Sequence, residues 1–88
     1  MSKEQVPTNT VSLQWIMSDP SFSRGAADCR AGRPYPSSFD EWTTNEQWNY
    51  ERGRAWASRV PASVVIKRNG KLTNEALYWA RCLGDDIL

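Results

Sequence analysis

Apolar residues spaced three or four positions apart predict two helices in the first third of the chain. The first is expected to run from Thr10, as its N-cap, to Met17, with Trp15 among its apolar residues. The Ser18-Asp19-Pro20 run is typical of a new helix start, because either Asp19 or Ser18 can cap the first turn and proline fits there. The second helix is expected from Pro20 to Ala31, followed by Gly32, and its apolar stripe comprises Phe22, Ala26 and Cys29.

Start and stop signals also divide the second half of the chain. The sequence from Thr43 to Glu46 is typical of a capping box and predicts a long helix to about Arg59, where Val60-Pro61 ends it. A last helix is expected over residues 74–83. Between them, the β-branched run at 64–66 favours a strand and the Asn-Gly pair at 69–70 favours a tight turn. Either a short extended arm or a minimal hairpin near residues 63–73 is therefore predicted.

The stretch from Arg33 to Trp42 contains two prolines and two serines, which deny it a helix. The predicted fold is mainly α: three to four short helices around a small aromatic-rich core, with this Pro- and Tyr-containing loop in the middle. The expected organisation is a flexible tail over 1–9, one helical domain over 10–84 and a C-terminal tail over 85–88. The predicted core comprises Trp15, Ile16, Phe22, Ala26, Cys29, Trp48, Ala55, Trp56, Val65, Ala76, Ala80 and Leu83.

Composition narrows the function classes. The 88 residues carry a formal net charge of +1, which excludes a nucleic-acid binder of the usual strongly basic kind. Histidine is absent, and with it the commonest general base and zinc ligand. We therefore expect no enzyme, no metal, no cofactor and no small-molecule substrate. No leader or membrane-spanning run is visible, so a cytoplasmic protein with reduced thiols is expected, a Cys29–Cys82 disulfide being the less favoured alternative.

Tryptophan and arginine are the unusual residues. Five tryptophans occur in this short chain, and arginines make up eight of its eleven basic residues. Both side chains dominate interaction hot spots, since they combine large contact areas with hydrogen-bond donors. The candidate residues for contacting a protein partner or RNA are Arg24, Arg30, Arg33, Tyr35, Trp42, Trp48, Arg52, Arg54 and Arg59. A solvated face of mixed charge and a tryptophan-filled core are the alternative interpretations.

Two glycines, Gly25 and Gly53, fall inside predicted helices, and each follows an arginine. An interior glycine costs about 1 kcal/mol against alanine, so a close approach of another backbone is expected at both. The stretch RGAADCRAGRPY, followed by Trp48 and then Arg52-Gly53-Arg54-Ala55, resembles bacterial ribosome modulation factor and the small phage and prophage proteins similar to it. The resemblance covers residues 24–55. It implies two helices joined by a proline–tyrosine linker, acting on the small ribosomal subunit to inhibit translation.

The chain departs from that family in its nearly neutral charge, and its last 30 residues have no counterpart there. Two functions follow as hypotheses. The first is a small regulatory or inhibitory protein, phage- or prophage-encoded, that binds a host protein or complex through an aromatic–arginine surface. The second is a ribosome-associated translation regulator, whose arginines contact rRNA phosphates while Tyr35 or Trp48 stacks on bases.

Overall fold

The structure, a computed structural model, describes the backbone of residues 8–84 and the side chains of residues 13–84. Four helices, one short 3-10 helix and one two-stranded hairpin follow each other along this part of the chain, so the predicted mainly α fold is confirmed. The elements are α1 (Thr8–Ser18), α2 (Pro20–Arg30), the 3-10 helix (Phe39–Glu41), α3 (Thr44–Arg59), β1 (Lys67–Arg68), β2 (Lys71–Leu72) and α4 (Asn74–Leu83).

Helix α1 begins two residues earlier than predicted, so Thr10 lies inside the helix and is not its N-cap. Residues 8 to 10 are Thr, Asn and Thr, all capping-type residues, and the sequence does not distinguish among them. Residues 8 and 9, which were expected in the N-terminal tail, therefore belong to the helix. Its first seven residues, like the expected tail over 85–88, lie outside the described residues.

The start of α2 follows the predicted chemistry. The Asp19 carboxylate accepts a hydrogen bond from the backbone N–H of Ser21 at 2.9 Å, and Pro20 occupies the first turn. Helix α3 begins with a complete capping box. The Glu46 backbone N–H donates to the Thr43 hydroxyl at 3.2 Å, and the Thr43 N–H donates to the Glu46 carboxylate at 3.0 Å. Both predicted caps are thus confirmed.

Helices α2 and α3 form the central pair of the fold, and their interior glycines face each other's backbone. A methyl group added at Gly25 would collide with the carbonyl of Tyr50, and one added at Gly53 would collide with the carbonyl of Phe22. Each glycine therefore meets the residue three positions before the other glycine, which makes the crossing nearly symmetric. The expected close approach at both glycines is confirmed.

The ambiguous segment before α4 is a minimal hairpin. Lys67 pairs with Leu72 and Arg68 with Lys71, across a turn in which Asn69 and Gly70 both have positive φ. The Thr73 hydroxyl then caps α4 by accepting from the Ala76 N–H at 3.1 Å. The β-branched run at 64–66 is not part of a strand, although it was expected to favour one; it lies just before the hairpin and packs Val64 and Ile66 into the core.

The core lies between α2, α3, the inner faces of α1 and α4, and the segment at 60–66. Its largest fully buried side chains are Met17, Phe22, Tyr50 and Trp56. Of the predicted core, Phe22, Ala26, Trp56, Ala76 and Ala80 are buried, while Ile16, Cys29, Ala55 and Leu83 are half-buried against it. The residues missed by the prediction are Leu13, Met17, Tyr50, Ala57, Val60, Val64, Ile66 and Leu77.

Three predicted core residues are exposed instead, and each lies on the wrong face of its element. Trp15 is two positions from both Leu13 and Met17, so it points away from the side of α1 that packs. Trp48 is likewise two positions from the buried Tyr50 on α3. Val65 alternates with its buried neighbours along extended backbone. The prediction of these residues as core was therefore wrong.

Candidate functional site

A buried carboxylate, Asp28, lies at the centre of the predicted aromatic–arginine region. Its side chain accepts a hydrogen bond from the Tyr50 hydroxyl at 2.7 Å and another from Arg33 Nε at 2.9 Å. Arg24, one turn earlier on α2, places its Nε 4.0 Å from the same carboxylate. Asp28 therefore ties together α2, α3 and the start of the linker.

Aromatic rings surround this carboxylate. Tyr50 packs against three rings of the linker, with ring centroids 5.3–5.7 Å away: Tyr35, Phe39 and Trp42. The Arg54 guanidinium donates to the Tyr50 hydroxyl at 2.9 Å and lies 4.8 Å from the Tyr35 ring. On the other side, Arg24 lies 5.0 Å from the Trp42 ring. We call this set the Asp28 cluster: Arg24, Asp28, Arg33, Tyr35, Phe39, Trp42, Tyr50 and Arg54.

Electrostatics in the Asp28 cluster favour an ionised carboxylate. The hydrogen bond from Tyr50 holds the pKa of Asp28 below its usual value against the opposing effect of burial, and Arg33 and Arg24 lower it further. Burial and the bond to Asp28 raise the pKa of the Tyr50 hydroxyl. At neutral pH the group therefore consists of a carboxylate, a neutral phenol and cationic guanidinium groups.

The structure brings together five of the nine predicted contact residues in the Asp28 cluster: Arg24, Arg33, Tyr35, Trp42 and Arg54. The other four lie elsewhere. Arg30 stacks on Trp56 at 5.1 Å and donates to the Pro61 carbonyl at 3.2 Å. Trp48 and Arg52 lie together on another face of α3, and Arg59 occupies the last turn of that helix.

Sequence reasoning missed Asp28 and Tyr50, the two residues that organise the cluster. Tyr50 lies three positions before Gly53, and Asp28 lies three positions after Gly25 and four after Arg24. Residues at that spacing share a helix face with the glycine. The interior glycines were therefore the sequence signal that could have identified Asp28 and Tyr50, since they mark the helix faces that meet.

A second surface lies where the end of α1 meets α3. A groove of about 700 Å³ opens there, lined by Trp15, Ile16, Asp19, Asn45, Asn49 and Arg52. Trp15 is 78% exposed and Trp48, beside Arg52, is 53% exposed. We call this surface, including Trp48, the tryptophan groove.

Hydrogen bonds hold the floor of the tryptophan groove in place. The Asn49 side-chain amide donates to the Asp19 carboxylate at 2.7 Å, and Arg52 Nη1 donates to the Asn49 side-chain oxygen at 3.0 Å. The Arg52 guanidinium also lies 5.6 Å from the Trp48 ring. Among residues 13–84, no carboxylate forms an ion pair with Arg52.

Cys29 is half-buried and Cys82 exposed, and both are free thiols, as expected. Over the stretch that the structure describes, no three His, Cys, Asp or Glu side chains are grouped as metal ligands would be. None of the helices in that stretch is long and apolar enough to span a bilayer.

Comparison with known proteins identified no relative of this chain. No family model, no curated protein and no solved structure matches the chain. The resemblance of residues 24–55 to ribosome modulation factor stays a prediction, and any assignment of function rests on the geometry of the chain's own residues.

Proposed function

We propose that this chain is a small, non-enzymatic regulatory or inhibitory protein that binds a host protein or complex through an aromatic–arginine surface. The phage or prophage origin implied by the sequence resemblance belongs to the same proposal. The observation that carries it is the exposure of Trp15 and Trp48 beside Arg52, at the tryptophan groove. Exposed apolar surface of this kind marks interaction sites in soluble proteins.

The residue types at the tryptophan groove support a protein partner. Tryptophan and arginine are the residues most enriched at binding hot spots, where truncation costs about 2 kcal/mol or more. A tryptophan side chain buries roughly 150–250 Å² when covered, which is a large contact for a small domain. The fixed hydrogen bonds of Asp19, Asn49 and Arg52 support a preformed surface, which reduces the entropy lost on binding.

The charges at the groove favour a partner segment that carries an apolar side chain and a carboxylate. The apolar side chain would pack against Trp15 in the groove or against Trp48 beside Arg52. The carboxylate would meet Arg52, whose charge has no ion-pair partner among residues 13–84. Asp19 is already held within the chain, since Ser21 and Asn49 each donate to one of its carboxylate oxygens.

The alternative function is a ribosome-associated translation regulator that contacts rRNA in the manner of ribosome modulation factor. The observation in its favour is the arrangement of α2, the Pro34-Tyr35 linker and α3, which agrees with the helix pair that the resemblance implies. Against it, four of the predicted phosphate-contacting arginines are engaged within the chain: Arg24, Arg30, Arg33 and Arg54. Contact with rRNA would compete with these bonds.

The test begins with capture of partners by the tagged full chain from bacterial lysate, divided into nuclease-treated and untreated halves. A protein partner is expected to survive nuclease and high salt, because an apolar interface depends little on ionic strength. Ribosomal proteins and rRNA that disappear on nuclease treatment would instead establish the alternative.

The captured partner is then purified and its affinity measured by titration calorimetry against Trp15→Ala, Trp48→Ala and the exposed-aromatic control Tyr78→Ala. Tyr78 is 62% exposed on α4, so truncating it removes a comparable aromatic surface elsewhere. Each tryptophan variant is expected to bind about 30-fold more weakly, which corresponds to about 2 kcal/mol. Equal affinities for all three variants would refute the groove as the binding site.

A further inference from the structure

The hairpin tip carries two exposed cations that no other described residue neutralises. Arg68 and Lys71 are both exposed and are direct cross-strand partners. Neither side chain forms a hydrogen bond or an ion pair with any residue between 13 and 84. The arginines of the Asp28 cluster, by contrast, all have partners within the chain. The hairpin tip therefore carries free positive charge that the Asp28 cluster lacks.

The placement of these two cations is unfavourable for the isolated chain. Like charges directly opposite each other in an antiparallel pair destabilise it. Glu75 lines the same concave surface as Arg68 and Lys71, but its carboxylate forms no ion pair with either. An external anion bound between the two side chains would remove this repulsion.

The tip is held in a fixed position. Lys67 Nζ donates to the Ser18 carbonyl at the end of α1 at 2.9 Å, and the Thr73 N–H donates to the Ile66 carbonyl at 2.9 Å. Asn69 and Gly70 have φ values of 56° and 79°, the left-handed pair that a two-residue turn requires. The backbone under both cations is thus ordered before any ligand arrives.

The chemistry of the tip distinguishes among possible anionic partners. From position 68 to 71 the sequence is Arg-Asn-Gly-Lys, and the neighbouring Leu72 packs against the core. Protein interfaces are rich in aromatic residues and poor in lysine, and a membrane-surface site uses either inserted apolar side chains or a cluster of about four to eight basic residues. Phosphate backbones are met by arginine and lysine without any apolar contact.

We propose that the hairpin tip is a contact site for the phosphate groups of a nucleic acid, with Arg68 and Lys71 as the phosphate-binding residues. Asn69 and Asn74, which line the same concave surface, supply amide groups for sugar or base edges. This site lies in the part of the chain without a counterpart in the resembling family. It does not depend on the tryptophan groove.

The experiment measures binding of fluorescein-labelled oligouridylate and oligothymidylate to the full chain by anisotropy, over a range of salt. The site variant is Arg68→Gln/Lys71→Gln, which keeps the Asn-Gly turn. The matched control is Lys3→Gln/Arg81→Gln, which also removes one lysine and one arginine. Lys3 precedes the described residues and Arg81 is exposed on α4. Both double variants change the net charge from +1 by the same two charges.

Two phosphate contacts predict that the wild-type affinity falls about sevenfold between about 50 and 200 mM salt. The site variant is expected to bind at least about tenfold more weakly at low salt and to lose most of this dependence, whereas the control stays within about twofold of wild type. Preference for one oligonucleotide identifies RNA or DNA as the source of the phosphates. The proposal is overturned if wild type binds neither oligonucleotide at low salt, or if the two double variants lose equal affinity. Stronger binding to phosphatidylserine vesicles than to both oligonucleotides also overturns it.

Discussion

Substituting Gly25 by alanine tests the central feature of the fold, the close crossing of α2 and α3. In an ordinary exposed helix this exchange stabilises by about 1 kcal/mol, because glycine is the poorer helix former. Here the new methyl group would collide with the Tyr50 carbonyl and would lie 2.9 Å from its carbon and 3.1 Å from the Arg54 backbone nitrogen. All three atoms belong to the backbone of α3, so no side chain can rotate away.

The expected loss in the free energy of unfolding follows from the packing contacts between α2 and α3 at their crossing. Carbon atoms in contact prefer about 3.5–4.0 Å, so the two helices must separate by roughly 1 Å, and such a gap forfeits a quarter to a half of the dispersion energy across the interface. Overpacking of this kind costs about 3 kcal/mol, from which the helix-propensity gain of about 1 kcal/mol is subtracted. The expected loss in the free energy of unfolding is about 2 kcal/mol, a fall in Tm of about 8–16 °C for a domain of this size.

Urea unfolding, followed by far-ultraviolet circular dichroism, measures this loss. Ala27, exposed on the same helix, provides the control: Ala27→Gly should cost about 1 kcal/mol. Glycine is thus expected to give the more stable protein at position 25, and alanine the more stable protein at position 27. Gly53→Ala should resemble Gly25→Ala, and the double variant should cost less than the sum, because one separation of the helices relieves both collisions. A Gly25→Ala protein as stable as wild type, or strict additivity, would refute the reasoning.

Two further predictions concern the Asp28 cluster and the tryptophans. Asp28→Asn should lower the free energy of unfolding by about 1.5–3 kcal/mol at neutral pH, since it removes a buried charged acceptor. The pKa of Asp28 is lowered in the folded state, so its contribution is complete above the unfolded value of about 3.9 and is lost as the pH falls towards the folded value. Urea midpoints measured at falling pH should therefore decline more steeply below that value for wild type than for the variant, and parallel curves would contradict this. Trp15→Ala and Trp48→Ala should each change stability by less than about 0.5 kcal/mol, whereas Trp56→Ala should cost about 3–5 kcal/mol in the same assay. Comparable losses at all three positions would show that the exposed tryptophans are structural.

Local signals in the sequence predicted most of the secondary structure. Asp19-Pro20, Thr43 with Glu46, and Asn69-Gly70 act on backbone groups within a few residues, so each could be interpreted without knowing the rest of the fold. The two interior glycines even predicted the close helix crossing. This reasoning misplaced the start of α1, where several capping residues stood in a row, and the β-branched run at 64–66, which lies just before the first strand.

The candidate site was predicted less well, because its residues depend on partners distant in sequence. Arg33 and Arg54 were predicted to contact an external partner, yet their bonds are made to Asp28 and Tyr50 within the chain. Trp15 was predicted as core from its apolar spacing, and Trp48 was predicted both as core and as a contact residue, yet both side chains are exposed. Neither outcome follows from spacing until the crossing of α2 and α3 fixes which faces meet.

The sequence by itself determined a mainly helical chain of low net charge, with the starts of its last three helices, its hairpin turn and the point where two backbones touch. These properties follow from short-range steric and hydrogen-bonding preferences. The tertiary structure alone decided which aromatic residues are covered and which arginines keep a free charge. Those outcomes depend on the relative positions of helices α2 and α3 and of the segments packed around them, and packing fixes these positions only when the whole core forms.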